Sequence, residues 1–257
     1  MIRNPWFLRL VPRPEASLRL FCFHHAGGSA ALFRGWPASL AEFDICAVQL
    51  PGRGSRMIEP AVEAIPELVD GIAPAILPLL DRPYALFGHS MGSAVALALA
   101  QRLHAMGAPL PHHLFASSRQ PPHRPFPESS LRGMTDAMVV DQINTRYGGF
   151  PPEVLAHPEF LALLLPTLRA DFAALEDYAP ALDAPLPLPI TAIGGIGDAC
   201  ATPERLAGWQ VYTTHPLRMR HVPGGHFYLE EGIDEVAAIL RETFVRAQPS
   251  PDAQNAA

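Results

Sequence analysis

The chain has 257 residues, 49% apolar and 17% charged, which is enough for one large domain or two small ones and too apolar for a disordered segment. A formal charge of −6 argues against a nucleic-acid binder, and all 19 cationic side chains are arginine, so a Schiff base, a P-loop lysine and a Ser-Lys dyad are excluded. Proline is the outlier, with 29 residues or about 11% of the chain against a usual ~5%.

The longest apolar-and-small run, Ser90 to Ala100, is shorter than the ~18 residues a spanning helix needs. The start, Met1-Ile2-Arg3-Asn4-Pro5-Trp6, lacks a signal-type apolar core, so a soluble, cytoplasmic protein is expected, with no membrane partner. Cys22, Cys46 and Cys200 are odd in number and widely spaced, a pattern of reduced thiols rather than of a disulfide framework or a zinc site.

Strand-like runs at Leu18 to Phe23 and Phe43 to Val48 bracket a helix or helical turn over Ala30 to Leu40. Ile65 to Leu80 has apolar residues at helical spacing, with Pro66 in its first turn and Pro74 and Pro78 as kinks or stops. A short strand, Tyr84 to Phe87, ends at Gly88, and a long helix rich in Ala and Leu follows from Ser90 to Met106. Leu114 to Ser117, Ile190 to Ile193 and Leu217 to Val222 are further strands, and Ile233 to Val245 is a closing amphipathic helix. Alternating strand and helix signify an α/β fold, a mostly parallel sheet covered on both faces.

Pro109 to Pro189 breaks the alternation, holds 14 of the 29 prolines and carries helical runs at Met134 to Ile143 and Phe160 to Tyr178. The pattern predicts a helical lid insertion at about 120–182 within one domain, 1–246, with a separate small domain as the alternative. The small polar end, 247–257, is expected to fray.

Gly88-His89-Ser90-Met91-Gly92 fits G-x-S-x-G, with a strand before it and a helix after it, as a nucleophile elbow requires. A serine hydroxyl needs a base, and in this fold class the acid and then the histidine follow it in chain order. Of the 11 histidines, His157, His215, His221 and His226 lie well beyond Ser90. His226, in the glycine loop Pro223-Gly224-Gly225-His226 between the last strand and the last helix, is the candidate base. Asp198 follows a strand through Gly194-Gly195-Ile196-Gly197 and is the candidate acid; Asp183 lies at the wrong end of that strand. Asp136, Asp141, Asp171 and Asp177 look like solvated helix charges of the insertion. For the oxyanion, the expected backbone donors are Met91, just after the nucleophile, and Ala26 in the loop His24-His25-Ala26-Gly27-Gly28-Ser29, with Gly27 the near alternative. His25 and His89 flank the site as structural histidines, and no metal or cofactor is expected.

These residues, with Gln49-Leu50-Pro51-Gly52-Arg53-Gly54-Ser55-Arg56, Trp209, Pro223 to Leu229 and the stretch Tyr147 to Leu155, resemble the type II thioesterases, discrete α/β-hydrolases that accompany nonribosomal peptide and polyketide synthetases. The resemblance runs from about Trp6 to about Phe244. It implies hydrolysis of aberrant or stalled acyl groups from the phosphopantetheine arm of a carrier protein, with the triad Ser90, His226 and Asp198; a monomer is expected. The chain departs from the family in having His24 where proline is common, Ser117-Ser118-Arg119 for Ser-Gly-Arg, and Ala201 near a usual branched residue. Alternatives are a free-standing carboxylesterase or lipase, a non-catalytic ligand binder, and a cyclising terminal domain. An acidic carrier and the pantetheine phosphate would meet only arginines and backbone amides; Arg53, Arg56 and Arg119 are candidate contacts, though structural ion pairs are their more ordinary role.

Overall fold

The computed structural model describes residues 4–126, 130–148, 150, 152–180, 182 and 184–245. The tail at 247–257, Asp183, and Gly149 and Pro151 of the lid-like stretch lie outside them. Strand β1 (Phe7–Arg9) is followed by β2 (Leu18–Phe23), the short helix α1 (Trp36–Ser39), β3 (Phe43–Val48), α2 (Ile65–Ile76), β4 (Tyr84–His89), α3 (Met91–Ala105) and β5 (His113–Ser117). Then come α4 (Asp136–Tyr147), α5 (Pro152–Leu155), α6 (Pro158–Glu176), β6 (Ile190–Gly195), α7 (Pro203–Leu206), β7 (Arg218–Val222), α8 (Tyr228–Glu231) and α9 (Asp234–Val245). The strands form one sheet in the order β1-β3-β2-β4-β5-β6-β7, parallel except for β1, which runs antiparallel to β3.

All residues of β2, β3, β4, β5 and β6 are buried, because both faces of the sheet are covered. Phe21, Phe23, Val48, Leu86 and Leu114 face a core shared with α2 and α3, and Leu20, Ile45, Ala85, Phe87 and Phe115 face one shared with Trp36, Val236 and Leu240. The run Ala30 to Leu40 divides into a 3₁₀ turn, Ala30–Phe33, and α1. Helix α2 begins with Pro66 in its first turn, retains Pro74 inside, and gives way at Ile76 to a 3₁₀ turn containing Pro78. Between Ser117 and Ile190 no strand occurs among the described residues. That segment instead builds a satellite cluster from Leu131, Val139, Ile143, Leu165, Leu168 and Phe172, which rests on Ala26.

Candidate active site

Strand β4 and helix α3 meet at one residue, Ser90, whose backbone has φ 54° and ψ −116°. A non-glycine residue held there is strained, and the surroundings must enforce it. Two glycines allow the turn to close. A Cβ on Gly92 would lie 2.2 Å from the Phe23 carbonyl oxygen, and one on Gly88 would lie 2.3 Å from the Gly92 carbonyl oxygen. Ser93, unremarkable in the sequence, braces the elbow: its hydroxyl sits 2.8 Å from the Gly88 carbonyl and 2.9 Å from that of Ser117, and it accepts the Ser117 N–H at 3.0 Å. The Ser90 N–H donates to the Ser117 carbonyl at 2.7 Å.

Asp198 and His226 come from the loops after β6 and β7, so both reach the carboxyl edge where Ser90 stands. The loops touch backbone to backbone. A Cβ on Gly195 would fall 2.3 Å from the Gly225 carbonyl oxygen, and the Gly197 N–H donates to the Gly224 carbonyl at 2.9 Å. His226 Nδ1 is 3.0 Å from Asp198 Oδ2, and His226 Nε2 is 3.0 Å from Ser90 Oγ. An ionised carboxylate is acceptor-only, so Nδ1 carries the proton and Nε2 presents its lone pair to the serine hydroxyl. Asp198 Oδ1 accepts the Cys200 N–H at 2.9 Å, which fixes the carboxylate plane. Ligand atoms of Asp198, Cys200 and His226 lie within 4.8 Å of one another, the one group of this kind among the described residues. Two of its members are already hydrogen-bonded to each other, an acid–base pair rather than open ligands.

The neighbouring histidines are kept uncharged. Burial lowers His25 to about 4 and pushes His89 well below the ordinary histidine value. His89 Nδ1 meets Ser117 Oγ at 2.6 Å, and that hydroxyl also pairs with Tyr228, so β4, β5 and α8 are tied behind the elbow. The Tyr147 ring of α4 lies 4.6 Å from the His226 ring, centroid to centroid, a contact with no local sequence pattern to signal it.

Ala26 lines the site beside Ser90, and Met91 opens α3, so its N–H has no partner within the helix. The Gly27 N–H is engaged elsewhere: it donates to Asp171 Oδ2 at 2.7 Å. Asp171 is therefore no solvated helix charge. It is fully buried and held by both Arg53 Nη1, at 2.5 Å, and Arg53 Nη2, at 2.8 Å. The same bonds remove Arg53 from the candidate surface contacts. Arg56 is buried as well, paired with Glu59 and lying over the Trp6 ring. Ser118 has φ 52°, a left-handed backbone that glycine adopts freely, so a serine here is strained.

Space at Ser90 is small. One cavity of about 10 Å³ adjoins Ser118, Gln120 and Cys200, and another of about 30 Å³ is bounded by Ile143, Tyr147, Leu168 and Phe172. A groove of about 340 Å³ runs along α6, lined by Gly27, Arg53, Met57, Phe160 and Leu163.

A mostly parallel sheet with a serine on the elbow after β4, an acid after β6 and a histidine after β7 defines an α/β-hydrolase. The chain belongs to the thioesterase family, whose thioesterase domain model matches residues 18–244. It is 37% identical to the linear gramicidin dehydrogenase LgrE of Brevibacillus parabrevis over 93% of this chain and 92% of that one. Among solved structures it is similar to the RedJ thioesterase from the prodiginine pathway of Streptomyces coelicolor (TM-score 0.83, 39% identity, 89% and 87% of the two chains). It is also similar to BorB, a type II thioesterase from the borrelidin cluster (TM-score 0.84, 34% identity, 93% and 97%). The dehydrogenase of LgrE's name has no counterpart in the loop after β2, which reads His24-His25-Ala26-Gly27-Gly28-Ser29 rather than the G-x-G-x-x-G of a dinucleotide turn. The chain is thus a hydrolase acting on thioesters. Among the described residues no helix is long and apolar enough to cross a membrane.

Proposed function

We propose that the protein removes aberrant or stalled acyl and aminoacyl groups from the phosphopantetheine arm of carrier proteins in a nonribosomal peptide or polyketide pathway, as a soluble cytoplasmic monomer. The observation that carries this reading is the continuous pair of 3.0 Å contacts from Ser90 Oγ to His226 to Asp198, set on a strained elbow. The pathway class is supported by the biosynthetic settings named for RedJ and BorB.

In this mechanism Ser90 Oγ attacks the thioester carbonyl while His226 Nε2 takes its proton, and Asp198 holds the imidazolium that forms. The Met91 and Ala26 N–H groups receive the oxyanion. As the carbonyl re-forms, the C–S bond breaks and His226 returns the proton to the departing thiolate. Water, deprotonated by the same nitrogen, then attacks the acyl-serine; the acid leaves and Ser90 recovers its proton.

Residues 1–246 form one domain in this reading, and the segment at about 120–182 acts as a lid. The arrangement at Ser90 supports that role, because about 30 Å³ is roughly the room of one or two water molecules. An acyl group larger than this cavity would be admitted by displacing Tyr147, Leu168 or Phe172, all supplied by the segment.

Mass spectrometry of carrier proteins loaded with short, long and aminoacyl groups, before and after treatment, tests the proposal. The enzyme should unload them, and Ser90→Ala should be slower by at least about 10³-fold while remaining folded. Near-normal turnover by Ser90→Ala would sink the nucleophile assignment. Faster cleavage of a nitrophenyl ester than of the carrier thioester of the same acyl group would favour a free-standing carboxylesterase.

A further inference from the structure

The loop that supplies Ala26 is rich in conformational freedom, since Gly27 (φ 73°) and Gly28 follow it directly. A donor aimed at a developing oxyanion is useful only if it is fixed in place beforehand. The peptide unit joining Ala26 to Gly27 is gripped at both edges. Its carbonyl accepts from His25 Nδ1 at 2.9 Å, and its N–H donates to Asp171 Oδ2 at 2.7 Å. The second grip comes from α6, 144 positions away in sequence. Helix α6 also seats Leu168 on the loop, with its Cδ1 where a Gly27 Cβ would lie 2.9 Å away, and Thr167 donates to the Gly52 carbonyl at 2.9 Å.

We propose that Asp171 is a positioning residue for the hydrolysis: its carboxylate fixes the Ala26–Gly27 peptide and so aims the Ala26 N–H, while Arg53 cancels its charge. Arg53 is needed because an uncompensated carboxylate beside the loop would oppose the negative charge that grows on the substrate oxygen. The pair is almost wholly buried, with side-chain exposures of 6% for Arg53 and 0% for Asp171, so its field is poorly screened by water. This inference rests on the triad reading above and adds a link from α6 to the oxyanion donor.

The test uses the full chain and an acyl-coenzyme A thioester, with active sites counted by fluorophosphonate labelling so that rates refer to folded enzyme. Paired substitutions avoid stranding a buried charge. D171N/R53Q retains an acceptor for the Gly27 N–H and should keep kcat within about threefold of wild type. D171L/R53M removes the acceptor and should lower kcat roughly 10- to 100-fold with KM within twofold, the signature of a lost transition-state contact. D171S/R53Q, whose side chain is too short to reach Gly27, should repeat that loss without added apolar bulk. A merely structural pair would lower the number of labelled sites and the melting temperature, and leave kcat per site alone. Wild-type kcat per site in D171L/R53M or D171S/R53Q, or an equal fall in D171N/R53Q, would overturn the proposal. Ser90→Ala run in parallel separates the two readings, because hydrolysis surviving there would defeat the triad assignment instead.

Discussion

Replacing Asp198 by Asn is the sharpest probe of the acid, because the structure sets what each orientation of the amide would cost. In the wild type, Oδ1 takes the Cys200 N–H at 2.9 Å and Oδ2 takes His226 Nδ1 at 3.0 Å. An asparagine has one oxygen for two donors. If that oxygen keeps the Cys200 N–H, its NH₂ faces Nδ1, which must then give up its proton and leave the ring protonated on Nε2. That tautomer donates to Ser90 and cannot accept from it. Flipping the amide restores the tautomer but strands the Cys200 N–H, at about 1–3 kcal/mol. In either orientation the imidazolium loses its counter-charge, worth about 4 kcal/mol at roughly 4 Å and an effective dielectric near 20. Together these are about 5–7 kcal/mol, or roughly 10⁴-fold in rate and somewhat more. Steady-state hydrolysis of a carrier thioester, normalised to folded protein, measures the loss. Asp177→Asn is the control, since Asp177 is an exposed partner of Arg132 and should leave the rate unchanged. A fall smaller than tenfold in Asp198→Asn, or a large fall in Asp177→Asn, would show that the acid lies elsewhere.

Two further outcomes follow from the fold around the site. Gly92→Ala drives a methyl to 2.2 Å from the Phe23 carbonyl, a clash with backbone that cannot yield, so urea unfolding should show a loss of more than ~3 kcal/mol. Gly225→Ala, with nothing within 4 Å of its Cβ, should cost less than ~1 kcal/mol, and equal costs at the two positions would contradict the close-approach argument. Acid should weaken the fold through buried neutral histidines: burial lowers His113 to about 3 and His25 to about 4 from 6.5, and His24 and His89 well below it. With the folded value depressed, the unfolded chain binds more protons below pH 6.5, so stability is complete above that pH and declines as pH falls toward 4 and then 3. His113→Phe should make the decline between pH 6.5 and 5.5 shallower by up to ~1.4 kcal/mol per pH unit in urea titrations; an unchanged slope would refute it.

Most of the sheet was legible because a strand buried on both faces reads as a continuous apolar run, and Leu18 to Phe23 and Phe43 to Val48 match the structure at both ends. The antiparallel β1 has no signature in the sequence, since Phe7-Leu8-Arg9 is three residues long and half exposed, too short for a periodicity. Ser90, Asp198 and His226 could be singled out because each follows a strand at a glycine-rich turn, and chain order then separates one histidine from the rest. The structure brings these three side chains together. Asp171 was unreadable for the opposite reason. It sits in mid-helix among apolar residues, in Leu168-Arg169-Ala170-Asp171-Phe172, where a lone carboxylate normally points to water. Its partners Gly27 and Arg53 are 144 and 118 positions away, and no local pattern carries contacts of that range.

The distribution of charge around Ser90 now has a physical logic. His25 and His89 lie beside the elbow, and both are held neutral chiefly by burial. On the proposed mechanism, a second cationic ring beside His226 would oppose the imidazolium that forms when Ser90 gives up its proton. Neutral neighbours remove that opposition, and Asp198 is the carboxylate in contact with the ring. The other buried carboxylate near the oxyanion loop is cancelled by Arg53, and Arg56 is paired with Glu59. Asp171, the carboxylate beside the loop that holds Ala26, is thus paired with Arg53 before substrate arrives. On the proposed mechanism the groups that respond to the reaction are the Ser90–His226–Asp198 chain and the Met91 and Ala26 N–H groups, preset dipoles of the kind that lower a barrier without reorganising.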